Sequence, residues 1–292
     1  MTAKKGRLAR IRDSFHQKLC SEILGFRIKK DGTKSDVISV ADKSSNPSRL
    51  IAKEMALSLG YDLCEEPPVG QSSGKIFGDL VEDYLRETFS YLDHVRPGDW
   101  TFSAAQTDIS RFEQYDHLDA LLQLARRNPE LRTALDGDYL VKPDIIVYKK
   151  PLNDDFLNLR EELVMEKDTV SKLTPLREGN TNQPTLHGSI SCKWTMRSDR
   201  SQNSRTEALN LIRNRKGRVP HIVVVTMEPL PSRIASIAFG TGDLDCTYHA
   251  ALPELQAAIH KLGYEDAEEL LHVMIRGRRL RDISDLPLDL AI

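Results

Sequence analysis

Three short apolar runs that are rich in β-branched residues constrain the fold of this chain more than any other feature. They cover residues 139–148 (YLVKPDIIVY), 188–195 (GSISCKWT) and 221–226 (HIVVVT), and each has the length and composition of a buried strand. A helical segment at about 199–215 separates the last two runs. Because a strand, a crossover helix and a second strand form a parallel pair, the pattern predicts an α/β fold built on a small sheet.

Helical periodicity flanks these strands on both sides. Asn46-Pro47 is suited to the start of one helix and Gly60 to its end. The connection at about 150–186 is rich in Pro, Asn, Gly and charge and is expected to be irregular. The predicted helices lie at about 8–26, 46–60, 74–94, 109–127, 199–215, 252–262 and 264–276. Because the sequence has no internal repeat and no clear linker, we expect one domain over residues 1–292, with its core strands and recognition helix at 139–227.

The charge is distributed unevenly along the chain. The formal net charge is −2, from 41 Lys and Arg against 43 Asp and Glu. Residues 1–34 carry a net +7 and residues 193–218 a net +6, so the other 232 residues carry −15. The slightly negative net charge of the whole chain argues against a protein that coats nucleic acid by charge alone. The basic N-terminal segment (1–34) fits a solvated helix face, whereas the second basic segment directly follows a predicted strand.

The sequence gives no sign of secretion, membrane insertion or zinc binding. Its N-terminal region is too charged for the apolar core of a signal peptide, and its longest strongly apolar run, at about 222–227, is far too short to span a bilayer. The four cysteines have no zinc-ligand spacing. We therefore expect a soluble, cytoplasmic protein with reduced thiols and no membrane contact.

Ionisable side chains interrupt two of the predicted strands. Asp144 is placed within the apolar run that continues at Ile145, where an isolated buried charge is prohibitively expensive, so it must be paired, hydrogen-bonded or metal-bound. Lys193 lies in the next predicted strand. Because side chains alternate along a strand, Ser191 and Lys193 are expected to share one face while Cys192 points away.

A second carboxylate, Glu207, lies about two turns into the following helix. That helix can fold back over the sheet and bring Glu207 to the end where Asp144 and Lys193 lie. Two carboxylates and a lysine at strand ends are what metal-assisted phosphodiester hydrolysis requires, since carboxylates bind hard divalent ions and an ammonium group stabilises transition-state oxygens. The same pattern also fits a buried Asp144–Lys193 ion pair beside an exposed helix glutamate.

The segment Arg197-Ser198-Asp199-Arg200 begins the helix that follows the lysine strand. Arginine matches O6 and N7 of guanine in the major groove, and aspartate accepts a hydrogen bond from N4 of cytosine. Two arginines and one aspartate within four residues therefore suit adjacent G·C pairs. The alternative is a capping aspartate in a charged first turn, although arginines are unfavourable at the positive end of a helix.

Four longer motifs together resemble one family of DNA-cutting enzymes. They are RPGDW at 96–100, HGSISCKWTMRSDR at 187–200, NRKGRVPHIVVVT at 214–226 and DISDLPLDLAI at 282–292. From about residue 35 onwards, the chain is similar to the NgoM-type type II restriction endonucleases of the PD-(D/E)XK superfamily, which cut GCCGGC. The resemblance implies a restriction-endonuclease-like α/β/α core with a small mixed sheet and several flanking helices, a Mg²⁺ cofactor and a homotetramer.

The resemblance also implies roles for individual residues. Asp144, Glu207 and the main-chain carbonyl of Cys192 are the expected Mg²⁺ ligands. Lys193 is the expected catalytic lysine, and Ser191 occupies the position where the superfamily more often has the carboxylate that Glu207 supplies here. The expected DNA contacts are Arg197, Asp199 and Arg200 to the central CCGG, Asp42, Ser44 and Arg233 to the outer G·C pair, and Gln71 to the minor groove.

One position departs from the family pattern. The family places a glutamate in the helix after GQxSG, and this sequence has Gly78 there. A glycine inside a helix costs about 1 kcal/mol relative to alanine, so helix formation alone does not explain it. Asp79 and Glu82 are the candidates for the acidic metal ligand that Gly78 cannot supply.

We therefore expect a Mg²⁺-dependent endonuclease of a restriction-modification system that cuts double-stranded DNA after the first G of GCCGGC, or at a close CCGG-containing palindrome. A palindromic site calls for a two-fold homodimer, and the resemblance adds a homotetramer of two such dimers. Two alternatives remain open. One is a sequence-specific DNA-binding protein of the same fold that has lost cleavage, and the other is a structural or partner-binding α/β domain.

Overall fold

A mixed sheet forms the centre of the molecule. The computed structural model describes residues 5–128, 130, 141–196, 198–240 and 242–292, with the main chain alone for residues 122, 125, 126 and 198–201. Within these ranges, six strands form one sheet in the spatial order β3-β4-β5-β6-β7-β8, and two others form a separate antiparallel ribbon. The strands are β1 (Phe26–Ile28), β2 (Lys34–Ile38), β3 (Trp100–Ser103), β4 (Ile145–Lys149), β5 (Thr185–Lys193), β6 (His221–Thr226), β7 (Cys246–His249) and β8 (Leu280–Asp282).

The helices begin and end at residues with clear local reasons. At the second helix, the Ser45 hydroxyl accepts a hydrogen bond from the amide of Ser48, Pro47 occupies the first turn, and Gly60 follows with a φ of 75°. The helices are α1 (Arg7–Glu22), α2 (Asn46–Ser58), α3 (Gln71–Phe89), α4 (Asp116–Arg127), α5 (Asp154–Leu157), α6 (Ser198–Asn214), α7 (Pro231–Ala238), α8 (Leu252–Leu262), α9 (Glu265–Arg276) and α10 (Leu286–Leu290).

The central sheet joins an antiparallel half to a parallel half. Strand β4 runs antiparallel to both of its neighbours, β3 and β5, with Ile145 opposite Ile190, whereas β5 to β8 are all parallel. Strand β5, helix α6 and strand β6 are the strand–helix–strand unit that the sequence predicts, with β5 and β6 parallel. Because β4 is antiparallel to β5, the start of β4 and the end of β5 meet at one edge of the sheet.

Apolar side chains on both faces of the sheet are buried under helices. In β6, Val223 and Val225 belong to the core cluster that includes residues of α1, α2, α3 and α8, whereas Ile222 and Val224 belong to a second cluster with residues of α4 and α6. Successive side chains of β6 therefore pack into two different core clusters, as expected for a strand buried on both faces. This three-layer arrangement confirms the predicted α/β/α fold.

Several sequence-based bounds need correction. The predicted strand at 139–148 begins only at Ile145, and residues 131–140 lie outside the described ranges. The helix predicted at 109–127 begins as two short 3-10 helices before α4. Strands β3, β7 and β8, of three or four residues each, were not predicted. Along the described part of the chain, no helix is both long enough and apolar enough to cross a membrane.

The basic N-terminal segment is part of the fold. Its helix α1 packs against α3 and buries Phe15 and Leu19. Arg12 makes paired hydrogen bonds of 2.7–2.9 Å with Glu254 of α8 and Asp282 of β8. At least one of the arginines that give this segment its positive charge therefore forms an internal ion pair.

Candidate active site and DNA interface

The predicted catalytic residues meet at the edge where β4 begins and β5 ends. Asp144 directly precedes β4, and Lys193 is the last residue of β5. Both line a cavity of about 920 Å³, together with Glu207 from α6 and the N-terminal half of α3. The antiparallel pairing of β4 with β5 brings Asp144 to Lys193, although they are separated by 49 positions in the sequence.

Asp144 is held by three donors from β5. Its Oδ2 accepts hydrogen bonds from the amide of Cys192 at 2.8 Å, from Nζ of Lys193 at 2.9 Å and, more weakly, from Oγ of Ser191 at 3.5 Å. The placement of Asp144 inside a buried strand was wrong, because it precedes β4 and its side chain is 42% exposed. The exposure leaves room for a ligand beside the carboxylate, while the hydrogen bonds fix its orientation.

The three residues that end β5 follow the predicted alternation. Ser191 and Lys193 both contact Asp144, whereas the Cys192 side chain is buried in the core, and this burial raises the pKa of its thiol. Because the N–H and C=O of an extended residue point to the same side, the amide contact to Asp144 places the carbonyl of Cys192 on the side of Asp144 too. Ser191 Oγ also lies 3.2 Å from Oγ of Ser204 on α6, which connects the strand to the helix.

Glu207 faces Asp144 and Lys193 across the cavity. Burial raises the pKa of Glu207; Lys193 opposes the rise and the nearby charge of Asp144 adds to it. The two carboxylates are thus close enough to repel each other, while the ammonium group of Lys193 attracts both. A pair of carboxylates that destabilise each other in a partly buried cavity is a setting that a bound cation relieves.

Helix α3 forms the opposite wall of the cavity. Gln71 lies exposed at its first turn, and a Cβ at Gly78 would meet no atom within 4 Å apart from its chain neighbours and the backbone of its own helix, so the wall is open there. Glu82 makes two contacts within the protein: it accepts a hydrogen bond from the amide of Ala104 at 2.9 Å, and it forms an ion pair with Arg86. Asp79 pairs with the exposed Lys75 at 2.6 Å.

The donors in the cavity fit a hard divalent cation. The described residues contain no cluster of three or more His, Cys, Asp or Glu that could enclose a metal ion. Two carboxylate groups and one main-chain carbonyl, all oxygen donors, are however what a partly hydrated Mg²⁺-type ion requires. Asp144, Glu207 and Cys192 would hold such an ion, and the open wall at Gly78 leaves space for water or phosphate beside it.

The residues predicted to contact the outer base pair form a separate cluster. Asp42 accepts hydrogen bonds from the hydroxyl and the amide of Ser44, at 2.7 and 3.0 Å, and pairs with Arg233 at the start of α7. Ser44 and Arg233 both lower the pKa of Asp42, so its carboxylate is ionised at every physiological pH. The cluster presents one anionic and one cationic group side by side, held by each other.

Sequence analysis missed the buried carboxylate of Glu228. It lies between β6 and α7, is fully buried, and contacts both the segment that precedes Arg197 and the guanidinium of Arg233. A glutamate two residues after the run HIVVVT was the available signal, since a charged residue so close to a buried strand needs partners.

The residues predicted to contact the central CCGG are only partly described. Arg197 lies outside the described residues. Asp199 and Arg200 belong to the first turn of α6, but their side chains lie outside the described part of the structure. Their predicted contacts therefore remain predictions from the sequence.

Comparison with known proteins agrees with this geometry. The family model described as NgoMIV restriction enzyme matches residues 15–292. The chain is also 51% identical, over 260 residues, to the type II restriction enzyme NgoMIV of Neisseria gonorrhoeae, a match that covers 88% of this chain and 90% of that protein. The chain therefore belongs to the NgoMIV restriction enzyme family and is a type II restriction endonuclease.

Proposed function

We propose that this endonuclease cuts double-stranded DNA at GCCGGC, after the first G, or at a close CCGG-containing palindrome, with Mg²⁺ as its cofactor. The observation that carries the proposal is the meeting of Asp144, Lys193 and Glu207 in one cavity beside the first turn of α6. That turn contains two of the residues expected to contact bases. Cleavage chemistry and base recognition would therefore act on the same stretch of duplex.

The roles of the catalytic residues follow from their contacts. Asp144, held by the amide of Cys192, and Glu207 would bind the divalent ion with the carbonyl of Cys192. Such an ion supplies an activated water and neutralises charge on the phosphate. Lys193 donates a hydrogen bond to Asp144 in the free protein and is placed to donate to a phosphate oxygen as negative charge develops there. Ser191 orients Asp144 and links it to α6 through Ser204.

The chemistry of Asp42 and Arg233 fits one outer base pair. In the major groove, a carboxylate accepts a hydrogen bond from cytosine and a guanidinium donates two to guanine. Asp42 and Arg233 are neighbours and can address the two bases of one C·G pair, with Ser44 fixing the orientation of Asp42. We assign the central pairs to Arg197, Asp199 and Arg200, and a minor-groove contact to Gln71, which lies exposed at the rim of the catalytic cavity.

A palindromic target requires two copies of this single-domain chain. Each subunit of a two-fold homodimer would contact one half-site and cut one strand. We further propose that two such dimers associate into a homotetramer that binds two DNA sites, in the cytoplasm, where the host DNA is located. The second candidate function is sequence-specific DNA binding without cleavage, and it is favoured by Gly78, where the cavity wall lacks a side chain.

Cleavage of plasmids with one or two GCCGGC sites tests the proposal. With Mg²⁺, both plasmids should be cut after the first G, and the two-site plasmid should be cut faster if a tetramer must bind two sites together. EDTA should abolish cleavage, and a plasmid in which one pair of the central CCGG is changed should stay intact. Specific binding in Ca²⁺ without any cutting in Mg²⁺ would favour the second candidate, and cutting at an unrelated sequence would overturn the assigned target.

A further inference from the structure

Glu228 is a fully buried carboxylate outside the catalytic cavity. It lies in the connection between β6 and α7, with both oxygens engaged. Its Oε2 accepts a hydrogen bond from the amide of Met196 at 2.7 Å, and its Oε1 accepts one from the amide of Leu230 at 3.2 Å. Burial of a carboxylate is costly, and proteins retain it where it fixes a specific arrangement.

The main chain of Glu228 is itself held in place. Its amide donates to Oγ1 of Thr226 at 3.1 Å, and its carbonyl lies 3.1 Å from Nε2 of the buried His249. Since Nδ1 of His249 accepts from the amide of Ala251 at 3.0 Å, the ring proton is on Nε2 and donates to the carbonyl of Glu228. Two neighbouring strands, β6 and β7, thus fix the position from which the carboxylate extends.

The carboxylate of Glu228 lies between two segments that we assign to base recognition. On one side it binds the amide of Met196, which directly precedes the segment 197–200. On the other side, Nη1 of Arg233 lies 3.9 Å from its Oε1, and Arg233 pairs with Asp42. No other described carboxylate contacts both the residue before Arg197 and the arginine of the outer cluster.

We infer that Glu228 is a positioning residue that couples recognition of the central base pairs to recognition of the outer base pair. It fixes Met196, which directly precedes the segment 197–200, and restrains Arg233 by charge, so a displacement on one side is transmitted to the other. The inference rests on the proposed function, because it needs those two segments to contact DNA. Glu228 would then help to determine sequence specificity without touching the duplex.

The coupling depends on two acceptor oxygens and a negative charge. A glutamine at this position would keep one acceptor and direct an NH₂ group at the amide of either Met196 or Leu230, where two donors would oppose each other. It would also remove the charge that faces Arg233. The variant Glu228→Gln therefore preserves the size of the side chain and removes both functions.

Binding in Ca²⁺ to three duplexes tests the coupling: the cognate site, a site with one central pair changed, and a site with the outer pair changed. Glu228→Gln should lower discrimination against both altered sites by about tenfold, consistent with loss of a buried charged contact. Arg233→Lys keeps the positive charge that faces Glu228, so it should lower discrimination mainly at the outer pair and less at the central pair. Tyr115→Phe is the matched control, because it removes a buried 2.9 Å hydrogen bond to the carbonyl of Leu211, in the last turn of α6, without changing a charge, and should leave discrimination unchanged.

A pH series separates positioning from loss of structure. Burial raises the pKa of Glu228 to about 7, against the opposing effects of the Met196 and Leu230 amides and of Arg233. Of the other groups near it, Asp42 stays ionised because Ser44 and Arg233 lower its pKa, and burial lowers the pKa of His249 to about 4, so it stays neutral. Discrimination by the wild-type protein should therefore increase as pH rises from 6 to 8, and this rise should be absent in Glu228→Gln. If that variant does not fold, Glu228→Asp, which keeps the charge, should retain the pH rise with reduced discrimination at both pairs.

The outcomes distinguish this inference from the proposed function. If the wild-type protein binds all three duplexes equally, the proposed function is wrong and the inference is overturned with it. If the wild-type protein discriminates but Glu228→Gln weakens binding to all duplexes by the same factor, Glu228 has only a structural role and the inference alone is overturned. Loss of discrimination at only one of the two positions would also overturn the coupling.

Discussion

The ammonium nitrogen of Lys193 lies 2.9 Å from Oδ2 of Asp144, across the boundary between two antiparallel strands. The same oxygen accepts from the amide of Cys192, so the carboxylate keeps its orientation without the lysine. Lys193 can therefore change partners from Asp144 to a phosphate oxygen while Asp144 stays in place. A carboxylate whose orientation does not depend on the ammonium group suits a site where metal and phosphate bind together.

Lys193→Ala should strongly impair cleavage and leave specific binding in Ca²⁺ largely intact. The variant removes the donor to the developing negative charge but keeps the Cys192 amide that orients Asp144, and the loss of one such donor lowers the rate by about 10²–10³-fold. Single-turnover cleavage in Mg²⁺ and a shift assay in Ca²⁺ measure the two effects separately. Lys75→Ala, at the exposed rim of the same cavity, is the matched control and should cut at a near-normal rate. Loss of DNA binding by a folded Lys193→Ala protein would contradict a catalytic role.

The sequence was sufficient to predict the elements whose pattern is local. Strand β6 and helix α8 lie where their apolar periodicity places them, and the crossover through α6 makes β5 and β6 parallel, as the handedness and length of such connections require. Asp144 and Lys193 stood out in the sequence because a charged residue within or directly beside an apolar strand is costly and therefore informative.

Other parts of the structure depend on contacts that a local pattern does not contain. Strands β7 and β8 have four and three residues and form because β7 pairs with β6 and β8 pairs with β7. The exposure of Asp144 depends on where β4 starts, which its pairing with β5 decides. Glu228 gains its partners from Met196 and Arg233, which are distant from each other in sequence, so no spacing rule connects them.

Asp79→Ala and Glu82→Ala should have different consequences. Glu82 accepts a hydrogen bond from the amide of Ala104, and its removal leaves that donor unsatisfied, so Glu82→Ala should lower the free energy of unfolding by about 1–2 kcal/mol. Asp79 pairs with an exposed lysine, so Asp79→Ala should change stability by less than about 0.5 kcal/mol. If Asp79 supports metal binding from the cavity wall, its loss should lower the cleavage rate about 10–100-fold, in a manner that excess Mg²⁺ partly restores.

Urea unfolding and Mg²⁺ titrations of the cleavage rate measure these two effects. Asp83→Ala, on the exposed side of the same helix, is the matched control for helix charge and should change neither quantity. Normal cleavage by both Asp79→Ala and Glu82→Ala would show that α3 supplies no acidic group to the metal site. In that case Asp144 and Glu207 would be the protein's only carboxylate ligands in the described cavity.

Arg12→Met should destabilise the protein strongly without changing its sequence preference. Arg12 is 14% exposed and makes paired hydrogen bonds with Glu254 and Asp282, so its removal leaves two partly buried carboxylates facing each other. The loss of one partner of a buried ion pair costs about 3–5 kcal/mol. Arg10→Met, two residues earlier on the exposed side of α1, should stay within about 0.5 kcal/mol of the wild-type protein. Equal stability of the two variants would show that the Arg12 cluster does not hold α1 to the core.

Glu228→Gln should change how stability depends on pH. Burial raises the pKa of Glu228 from 4.5 to about 7, so the folded protein binds this proton more tightly than the unfolded chain does. Proton binding to Glu228 therefore adds about 3 kcal/mol to the free energy of unfolding at low pH. This stabilisation is complete below pH 4.5 and is lost as pH rises through about 7. The glutamine cannot ionise, so the stability of the wild-type protein relative to the variant should fall by about that amount between pH 4.5 and pH 8.

Urea unfolding of both proteins at pH 4.5, 6 and 8 measures this difference. His249, whose pKa burial lowers to about 4, becomes less favourable to folding as pH falls below 6.5, but it does so in both proteins and cancels in the comparison. A difference in stability that stays constant over this range would mean that Glu228 titrates normally. The carboxylate would then have to be solvated in the folded protein, which would contradict its burial against Met196 and Leu230.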